Sequence, residues 1–461
     1  MYLEYVFLAL ICLIKVVELK VLETEVVILG AGASGISAAQ TLFKKGIHDF
    51  ILVDAQSFIG GRVQHAAFGR NTVELGANWI YGKGKNPIHA LALRHGLQTT
   101  PNDKNNLVYF DDSGFLSDQA EGVQTSESFE VVKAKLVGYA EKRMKHNQVD
   151  LSSRSALSLI GWQPDTPLKA AVEYFNIDWE FSEPAEMCSL DYATGTADAV
   201  SGSFPLGNEF VIDKRGFNHI LQEESKTFLE KNDSRLMLNT TVTKVIYHDH
   251  GVTVITSNGD RIVSKYAICT FSQTAHLLVQ QFALYASNVT RHGGHYTVWQ
   301  NLNAPGYLFK ASDNVLMVTT TDKASQRIER MADTQVQKEI MAVLQRMFPS
   351  TPIEAPTDIL IPRWHQNPLF HGSYSNWPIG ASKKHHLNMR APLYNRLWFA
   401  GEAMSADYYG YLHGAWLEGQ SVAESILECL TKNQCPVYEQ HEYVTGCELE
   451  NKPRFFRQSL L

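Results

Sequence analysis

The sequence predicts an α/β protein in which a discontinuous, Rossmann-like domain is joined to a second, α+β domain of mixed sheet and helices. Near the N-terminus, a short β-branched strand runs directly into a glycine-rich turn and a helix. Near the C-terminus, another strand, turn and helix follow in the same order. The 461 residues, 44% of them hydrophobic and 19% charged, are enough for two large globular domains.

The composition excludes several classes of protein. With 31 Gly and 16 Pro, the chain is neither collagen-like nor of low complexity. Lys and Arg number 41 against 48 Asp and Glu, and this net charge of −7 disfavours a nucleic-acid partner and suits a cationic small substrate. Six cysteines without a CxxC pair indicate neither a disulfide scaffold nor a zinc knuckle, and we expect no metal site.

The first residues have the pattern of a targeting segment. Residues 5–14 (YVFLALICLI) form an apolar run that is too short to span a bilayer and long enough for a signal-peptide core. Against this, Glu4 stands where a positive charge is expected, and no A-x-A cleavage site follows. Because the first core strand begins only near Thr24, we expect residues 1–23 to be the signal peptide of a secreted protein. The alternative is an N-terminal arm of a cytoplasmic protein. No later stretch is long and apolar enough to cross a membrane, so we expect no stable membrane insertion.

The first glycine-rich turn carries the spacing of a dinucleotide site. It follows the apolar strand 25–29 and opens a helix that Gly46 ends. Gly30 makes the tight turn, Gly32 lets backbone N–H groups reach a pyrophosphate, and Gly35 lets the helix pack closely on the strand. The helix N-terminus favours phosphate charge. The turn consists of Gly30, Gly32, Ala33, Ser34 and Gly35, with Ala31 between the first two.

A second predicted strand, residues 50–53, ends in Asp54, which lies 19 positions after Gly35. An acid at this spacing accepts hydrogen bonds from ribose hydroxyls and disfavours a 2′-phosphate. The whole pattern therefore predicts binding of a dinucleotide.

Two further motifs lie downstream of Asp54. Gly61 and Arg62 end the stretch IGGR, and Gly76, Ala77, Asn78 and Trp79 end the stretch ELGANW. Glycines there allow the backbone to approach a large planar ligand, and Arg62 can pair with its pyrophosphate. In this order the motifs resemble the flavin-dependent amine oxidase family, in which both flank the isoalloxazine ring of FAD.

The resemblance continues through the chain. A predicted β-meander over residues 238–254 contains Val242, whose backbone would reach the adenine. The strand and turn at residues 396–402 (RLWFAGE) and the helix that opens at residues 410–415 and ends near residue 430 look like the family's closing FAD motif. Glu402 would hold the ribityl and pyrophosphate groups there. The cofactor residues implied by this motif are Gly401, Glu402, Tyr411 and Leu412.

Within the family, residues 174–184, 358–364 and 375–380 resemble plant and fungal polyamine oxidases in particular. The last of these stretches contains SNWP, whose Trp377 would contact the cofactor. Monoamine oxidases carry a cysteine near this position that bonds the flavin. Residues 372–375 (GSYS) contain no cysteine, so we expect FAD to be bound non-covalently.

The resemblance implies oxidation of spermidine or spermine, with hydride transfer to flavin N5, reduction of O₂ to H₂O₂ and imine hydrolysis to an aminoaldehyde and an amine. Tyr374 and Tyr411 would bracket the reacting carbon, and Glu180 would bind a remote ammonium group. We expect a polyamine and O₂ as partners and a monomer or weak dimer. The alternative is an oxidase of another amine or amino acid; an amino acid would need an Arg in the pocket, which the sequence does not locate.

Two departures from the family pattern bear on activity. In the family, a second glutamate of the substrate tunnel, besides the one that Glu180 matches, lies two residues after the ANW motif. This sequence has Tyr81 at that position. Only residues 271–281 separate Thr270 from Phe282, where the family has several dozen residues carrying a core strand and a lysine beside the flavin. No lysine occurs between Lys265 and Lys310. The chain is then either a shortened gene model or isoform, or a variant with impaired catalysis that still binds FAD.

We predict an FAD domain over residues 24–100, 204–275 and 357–430, and a substrate domain over residues 101–203 and 276–356. Residues 431–461 would form a C-terminal tail. Apolar residues recur at helical spacing from residue 326 to 348, which predicts one continuous helix. Cys429 and Cys435 could form a disulfide in a secreted protein.

Overall fold

The structure is a computed structural model that describes residues 19–102, 107–111, 113–194, 204–205, 207–270, 284–286, 298–303, 314–432 and 434–438. For residues 192, 193, 284–286 and 383 it describes the backbone alone. The expected signal-peptide core at residues 5–14 and the short segment 271–281 lie outside the described residues. Within these ranges, no helix is both long and apolar enough to cross a membrane.

The longest strands of the described residues belong to one large sheet, and the others are short. They are β1 (Val21–Leu29), β2 (Phe50–Val53), β3 (His65–Phe68), β4 (Asn71–Glu74), β5 (Trp79–Ile80), β6 (Thr99–Asn102), β7 (Tyr109–Asp111), β8 (Gly114–Phe115), β9 (Asn208–Val211), β10 (Leu236–Met237), β11 (Val242–His248), β12 (Gly251–Thr256), β13 (Arg261–Cys269), β14 (Leu284–Ala286), β15 (Val298–Asn301), β16 (Leu316–Thr319) and β17 (Leu397–Phe399).

The helices of the same ranges vary widely in length. They are α1 (Ala33–Lys44), α2 (Pro87–Arg94), α3 (Gln119–Lys145), α4 (Ser153–Leu159), α5 (Pro167–Asn176), α6 (Asp178–Phe181), α7 (His219–Ser225), α8 (Asp322–Glu329), α9 (Asp333–Met347), α10 (Lys383–Arg390) and α11 (Leu412–Lys432). A π-helical segment spans Leu190–Thr194, and a 3₁₀ turn spans Glu402–Met404.

The large sheet is the Rossmann-like part of the fold. Its strand order is β10-β2-β1-β13-β12-β11, and β17 pairs with β13. Strands β10, β2, β1, β13 and β17 are parallel. Strands β11, β12 and β13 form an antiparallel meander over residues 242–269, which begins and ends later in the chain than the predicted residues 238–254. Strands β1, β2, β13 and β17 therefore end at one edge of the sheet, where open α/β sheets bind their ligands.

Burial on both faces explains why β1 is a continuous β-branched run. Its residues Val26–Leu29 are fully buried. Helices α1 and α11 pack together on one face, and a Cβ on Gly419 would lie only 2.1 Å from the Ser34 carbonyl oxygen. The strand starts at Val21, three residues before the predicted Thr24, because Val21–Thr24 pair with Arg261–Ser264 of β13.

The second sheet has the order β16-β15-β14-β7-β8. Strand β14 is parallel to β7 and antiparallel to β15, so the sheet is continuous although the segment before β14 is short. A cluster of buried side chains that includes Phe129, Trp162 and Trp179 lies beside it and fills the helical part of the molecule.

One predicted element is wrong. The continuous helix expected over residues 326–348 is two helices, α8 and α9, separated by residues 330–332. Ala332 has an extended backbone, with φ −69° and ψ 144°. The Arg363 side chain donates to the carbonyls of Glu329 and Met331, and these contacts hold the break in place.

The C-terminal helix α11 begins at Leu412 and ends at Lys432, close to the predicted limits. Cys429 near its end forms a disulfide with Cys435, with a Cα–Cα distance of 4.3 Å. This pairing joins the helix end to residues 434–438.

Candidate active site

A cavity of about 720 Å³ lies at the carboxyl edge of the large sheet. Most of the predicted cofactor and catalytic residues line it, although they come from distant parts of the chain. They are Gly30, Gly32, Ala33, Ser34, Asp54, Gly61, Arg62, Gly76, Ala77, Asn78, Trp79, Val242, Tyr374, Gly401, Glu402, Tyr411 and Leu412. Gly35, Glu180 and Trp377 are predicted site residues that do not line it.

The glycines of the first turn have different surroundings. Gly30 has φ +113°, and its N–H donates to the Val53 carbonyl at 2.7 Å. A Cβ on Gly35 would lie 1.9 Å from the Gly30 carbonyl oxygen, so this glycine sets the close approach of α1 to β1. A Cβ on Gly32, which lines the cavity, would lie only at ordinary contact distance from its neighbours, 3.8 Å from Gly61 Cα and 4.0 Å from the Gly60 carbonyl oxygen.

Asp54 holds the turn together. Its Oδ2 accepts from the Ala31 N–H at 2.6 Å, and its Oδ1 accepts from the Gln56 N–H at 2.8 Å. Burial raises the pKa of this carboxyl, while the two backbone hydrogen bonds act in the opposite direction. Each oxygen keeps a free lone pair, so binding to a ribose hydroxyl remains compatible with both contacts.

Arg62 and Glu402 pair with each other, at 2.9 Å between Nη1 and Oε1. The sequence predicted that each would reach the cofactor separately. Arg62 also donates to the Ser373 carbonyl at 2.6 Å. The Oε2 atom of Glu402 accepts from Ser375 Oγ at 2.5 Å and from the Gly410 N–H at 2.6 Å. Glu402 is only 7% exposed, and its contacts join three separate segments of the chain, at Arg62, Ser375 and Gly410.

Five buried polar atoms of residues that line the cavity have no hydrogen-bond partner among the described residues. They are Ser34 Oγ, Gln56 Oε1, Asn78 Oδ1, Trp79 Nε1 and Ser373 Oγ. Buried polar atoms in native proteins are normally paired. A ligand rich in oxygen and nitrogen would pair them, and the glycine walls leave room for a planar ring. The residues therefore fit FAD.

At one end of the cavity, two tyrosines bond to Glu180 and a third packs against one of them. Tyr374 Oη accepts from Ser182 Oγ at 2.5 Å and donates to the Glu180 carbonyl at 3.3 Å. Tyr411 Oη donates to Glu180 Oε1 at 3.3 Å, so Glu180 joins the site through Tyr411. Tyr81 packs its ring edge against Tyr411, with 4.8 Å between centroids. Burial raises the pKa of Tyr374 and of Tyr411 well above 10, so both phenols stay neutral.

Trp377 lies away from the cavity. Its ring stacks on His386, with 5.2 Å between centroids, and meets Tyr409 edge-on at 5.8 Å. It belongs to the same buried cluster as Trp162 and Trp179. The structure therefore places this residue with the core that supports the site.

Several residues of the site were not found from the sequence. Trp364 and Phe370 line the cavity, and Trp364 Nε1 donates to the Leu75 carbonyl at 2.7 Å. His413 stacks on Tyr411 at 5.2 Å, and burial lowers the pKa of His413 to about 3. Its position two residues after Tyr411 was an available signal, since that segment carries the closing motif.

The family of the chain follows from comparison with known proteins. A family model described as flavin containing amine oxidoreductase matches residues 33–281 and 290–427. Polyamine oxidase 1 of Zea mays is 31% identical over 486 aligned positions, which take in 91% of this chain and 93% of that protein. Polyamine oxidase 7 of Oryza sativa subsp. japonica is 33% identical, with 86% of this chain and 93% of that protein aligned.

Solved structures share the fold. Wild-type putrescine oxidase bound to putrescine superimposes with a TM-score of 0.66 and 16% sequence identity. The superposition covers 88% of this chain and 99% of that chain.

Proposed function

The chain belongs to the flavin-containing amine oxidoreductases, and we propose that it acts within this family on the polyamines spermidine and spermine. It is an FAD-dependent amine oxidase. The observation that carries the choice of substrate is the Glu180 carboxylate, which is bonded to Tyr411 beside two further tyrosines. A remote ammonium group of a polyamine would pair with this carboxylate, whereas a simple monoamine has no second charge to place there.

Bound FAD would accept a hydride from the carbon beside the amine nitrogen and pass two electrons to O₂. The residues of the chain prepare the amine for this step. Tyr374 and Tyr411 are neutral phenols in a buried site, and the apolar surroundings favour the uncharged form of the reacting nitrogen. Their hydroxyls bond to Glu180 and Ser182, which fixes the two rings as the walls that orient the substrate.

FAD would be bound without a covalent bond. The stretch at residues 372–375 has Gly, Ser, Tyr and Ser, and offers no thiol for attachment. The glycines of the first turn, the Arg62–Glu402 pair and the unpaired atoms of Ser34, Asn78 and Trp79 would hold the cofactor.

The large sheet would be the core of the discontinuous FAD domain, and the second sheet with α3–α6 the core of the substrate domain. Secretion is supported by the Cys429–Cys435 disulfide, because such bonds persist in oxidising compartments.

Glu180→Gln tests the proposal. Removing a charge that pairs with a desolvated ammonium should cost about 1–3 kcal/mol, roughly a 5- to 150-fold rise in KM for spermine. KM for a monoamine of similar length should stay nearly constant. Glu183→Gln is the matched control, since Glu183 accepts from Asn376 Nδ2 at 3.0 Å rather than from a cavity tyrosine. Equal changes for both substrates would refute the assignment of Glu180.

A second candidate is a variant that binds FAD and turns over slowly. The family match breaks between residues 281 and 290, directly after the short segment. The alignment with the maize protein has 486 positions, but 91% of this chain is only about 420 residues, so the alignment opens gaps in this chain. Both observations support the loss of the stretch that carries the expected lysine.

A further inference from the structure

One wall of the cavity is a single irregular segment, residues 363–373, which we call the strap. Its side chains Trp364, Pro368, Leu369 and Phe370 line the cavity. Trp364 is 2% exposed, whereas Leu369 is 41% exposed and forms the rim. The strap lies between α9 and the tyrosine end of the site, and contains neither a helix nor a strand.

The strap bends at two residues that have unfavourable backbone angles. Arg363 has φ +43° and His371 has φ +51°, in the left-handed region that residues with side chains rarely adopt. Such conformations persist only where surrounding contacts hold them. The contacts of the strap therefore indicate what keeps it against the cavity.

At its N-terminal end, the strap is fixed by one buried carboxylate. Glu329, the last residue of α8, is 3% exposed. Its Oε1 accepts from the His365 N–H at 3.2 Å, and its Oε2 accepts from the Gln366 N–H at 3.0 Å. Hydrogen bonds to a carboxylate are stronger than those between neutral groups, so these two contacts contribute to the attachment.

Arg363 adds a second attachment at the same place. Its Nε donates to the Glu329 carbonyl at 3.0 Å, and its Nη2 donates to the Met331 carbonyl at 2.9 Å. Nη2 also contacts Asp333 Oδ1 at 2.5 Å. The break between α8 and α9 thus serves as a docking point for the strap.

The remainder of the strap is bonded to the predicted cofactor turns. Trp364 Nε1 donates to the Leu75 carbonyl, and a Cβ on Gly76 would lie 3.1 Å from the Trp364 ring. At the other end, Arg62 donates to the Ser373 carbonyl. Loss of the two Glu329 contacts would loosen the N-terminal end of the strap, beside these turns.

We propose that Glu329 is a positioning residue that holds the strap over bound FAD and so sets the rate at which FAD leaves. Glu329 does not line the cavity and acts only through the strap. Gln at this position keeps one oxygen acceptor, and its NH₂ group would face a backbone N–H. Glu329→Gln therefore loses one of the two hydrogen bonds and the charge that strengthens the other.

FAD release from the holoprotein measures this role. After dilution into a large volume of flavin-free buffer, the release of FAD is followed by flavin fluorescence and by separation of free flavin. We expect Glu329→Gln to release FAD at least 10-fold faster than the unmodified chain. Asp333→Asn, which removes only the exposed ion pair with Arg363, should accelerate release 2- to 5-fold. Glu130→Gln on α3, an exposed carboxylate paired with Lys133, is the control and should have no effect.

Hydrogen exchange separates positioning from general stability. In Glu329→Gln, the amides of His365 and Gln366 should lose protection while those of Val27 and Leu29 in β1 keep theirs. An unchanged FAD release rate, or equal loss of protection in β1, overturns the proposal. If Glu329→Gln does not fold, Asp333→Asn is the deciding variant. FAD release from Asp333→Asn at the rate of the unmodified chain overturns the proposal. The result is independent of which amine is oxidised.

Discussion

Two glycines of the first turn are close in sequence but have different structural roles. Gly32 and Gly35 lie three positions apart in one motif, yet an added Cβ would have room at the first, where the nearest atom is 3.8 Å away, and would collide with a carbonyl oxygen at the second. The first glycine therefore serves the ligand and the second serves the fold.

Substituting these two glycines should affect different properties. Gly32→Val should abolish or strongly weaken FAD binding, because its side chain stands at the cavity wall. The free energy of unfolding of the apoprotein should change by less than about 1 kcal/mol, because the added Cβ meets Gly60 and Gly61 only at ordinary contact distance. Gly35→Ala should destabilise the apoprotein by about 1–3 kcal/mol through overpacking against Gly30. FAD titration and urea unfolding of both apoproteins measure the two effects. A destabilised Gly32→Val apoprotein with normal FAD affinity would contradict the division.

The residue scale also marks the limit of sequence reasoning. Spacing was enough to predict Gly30 and Asp54, and the family resemblance implied Tyr411; all three line the cavity. Spacing could not reveal that Arg62 and Glu402 bond to each other or that Trp377 packs in the core. Side-chain partners from distant segments depend on tertiary packing, which no local pattern contains.

At the scale of elements, strands were predicted well where both faces are buried. Strand β2 has the predicted limits because its four residues are all buried and apolar. The break between α8 and α9 was missed because apolar spacing continues across residues 330–332. Its cause is the Arg363 side chain, more than 30 residues away in sequence.

The disulfide at the end of α11 should stabilise that end measurably. It closes a loop of a few residues and holds Tyr438 edge-on against Trp398, with 5.6 Å between ring centroids. Cys435→Ser should lower the free energy of unfolding by about 2 kcal/mol by restoring loop entropy to the unfolded chain. A reductant should lower the melting temperature of the unmodified chain to about that of Cys435→Ser. It should leave the melting temperature of Cys435→Ser unchanged. Equal sensitivity of both proteins to reductant would argue against the bond.

For the whole molecule, buried titratable groups predict an optimum pH for stability. Burial lowers the pKa of His413 from 6.5 to about 3. Its contribution to the stability of the folded state is therefore present above pH 6.5 and is lost as the pH falls toward 3. Burial raises the pKa of Glu74 from 4.5 to about 8, and that of Glu418 from 4.5 to about 7. These carboxyls contribute fully below pH 4.5, and their contribution is lost as the pH rises through 7 to 8.

Above pH 4.5 the two carboxyls lower the stability with rising pH by more than the one histidine raises it, so these groups place the maximum stability of the apoprotein near pH 4.5. Glu74→Gln should flatten the alkaline side of the profile, and His413→Phe should flatten the acid side. Urea unfolding of the three apoproteins from pH 4 to 9 measures this. A profile of the unmodified chain that rises steadily to pH 8 would show that other groups dominate.

The short connection between β13 and β14 predicts the behaviour of the whole enzyme. Strand β14 already pairs with β7 and β15, so the second sheet does not need an inserted strand to be continuous. The expected deficit is therefore chemical, because no lysine occurs between Lys265 and Lys310 to act beside the flavin. Inserting a family-like segment with its lysine between Thr270 and Phe282 should raise peroxide production with spermidine strongly, while FAD content stays the same. The same insert with the lysine replaced by Met is the matched control and should recover little activity. If the unmodified chain already oxidises spermidine as fast as the lysine-containing version, the lysine is dispensable in this protein.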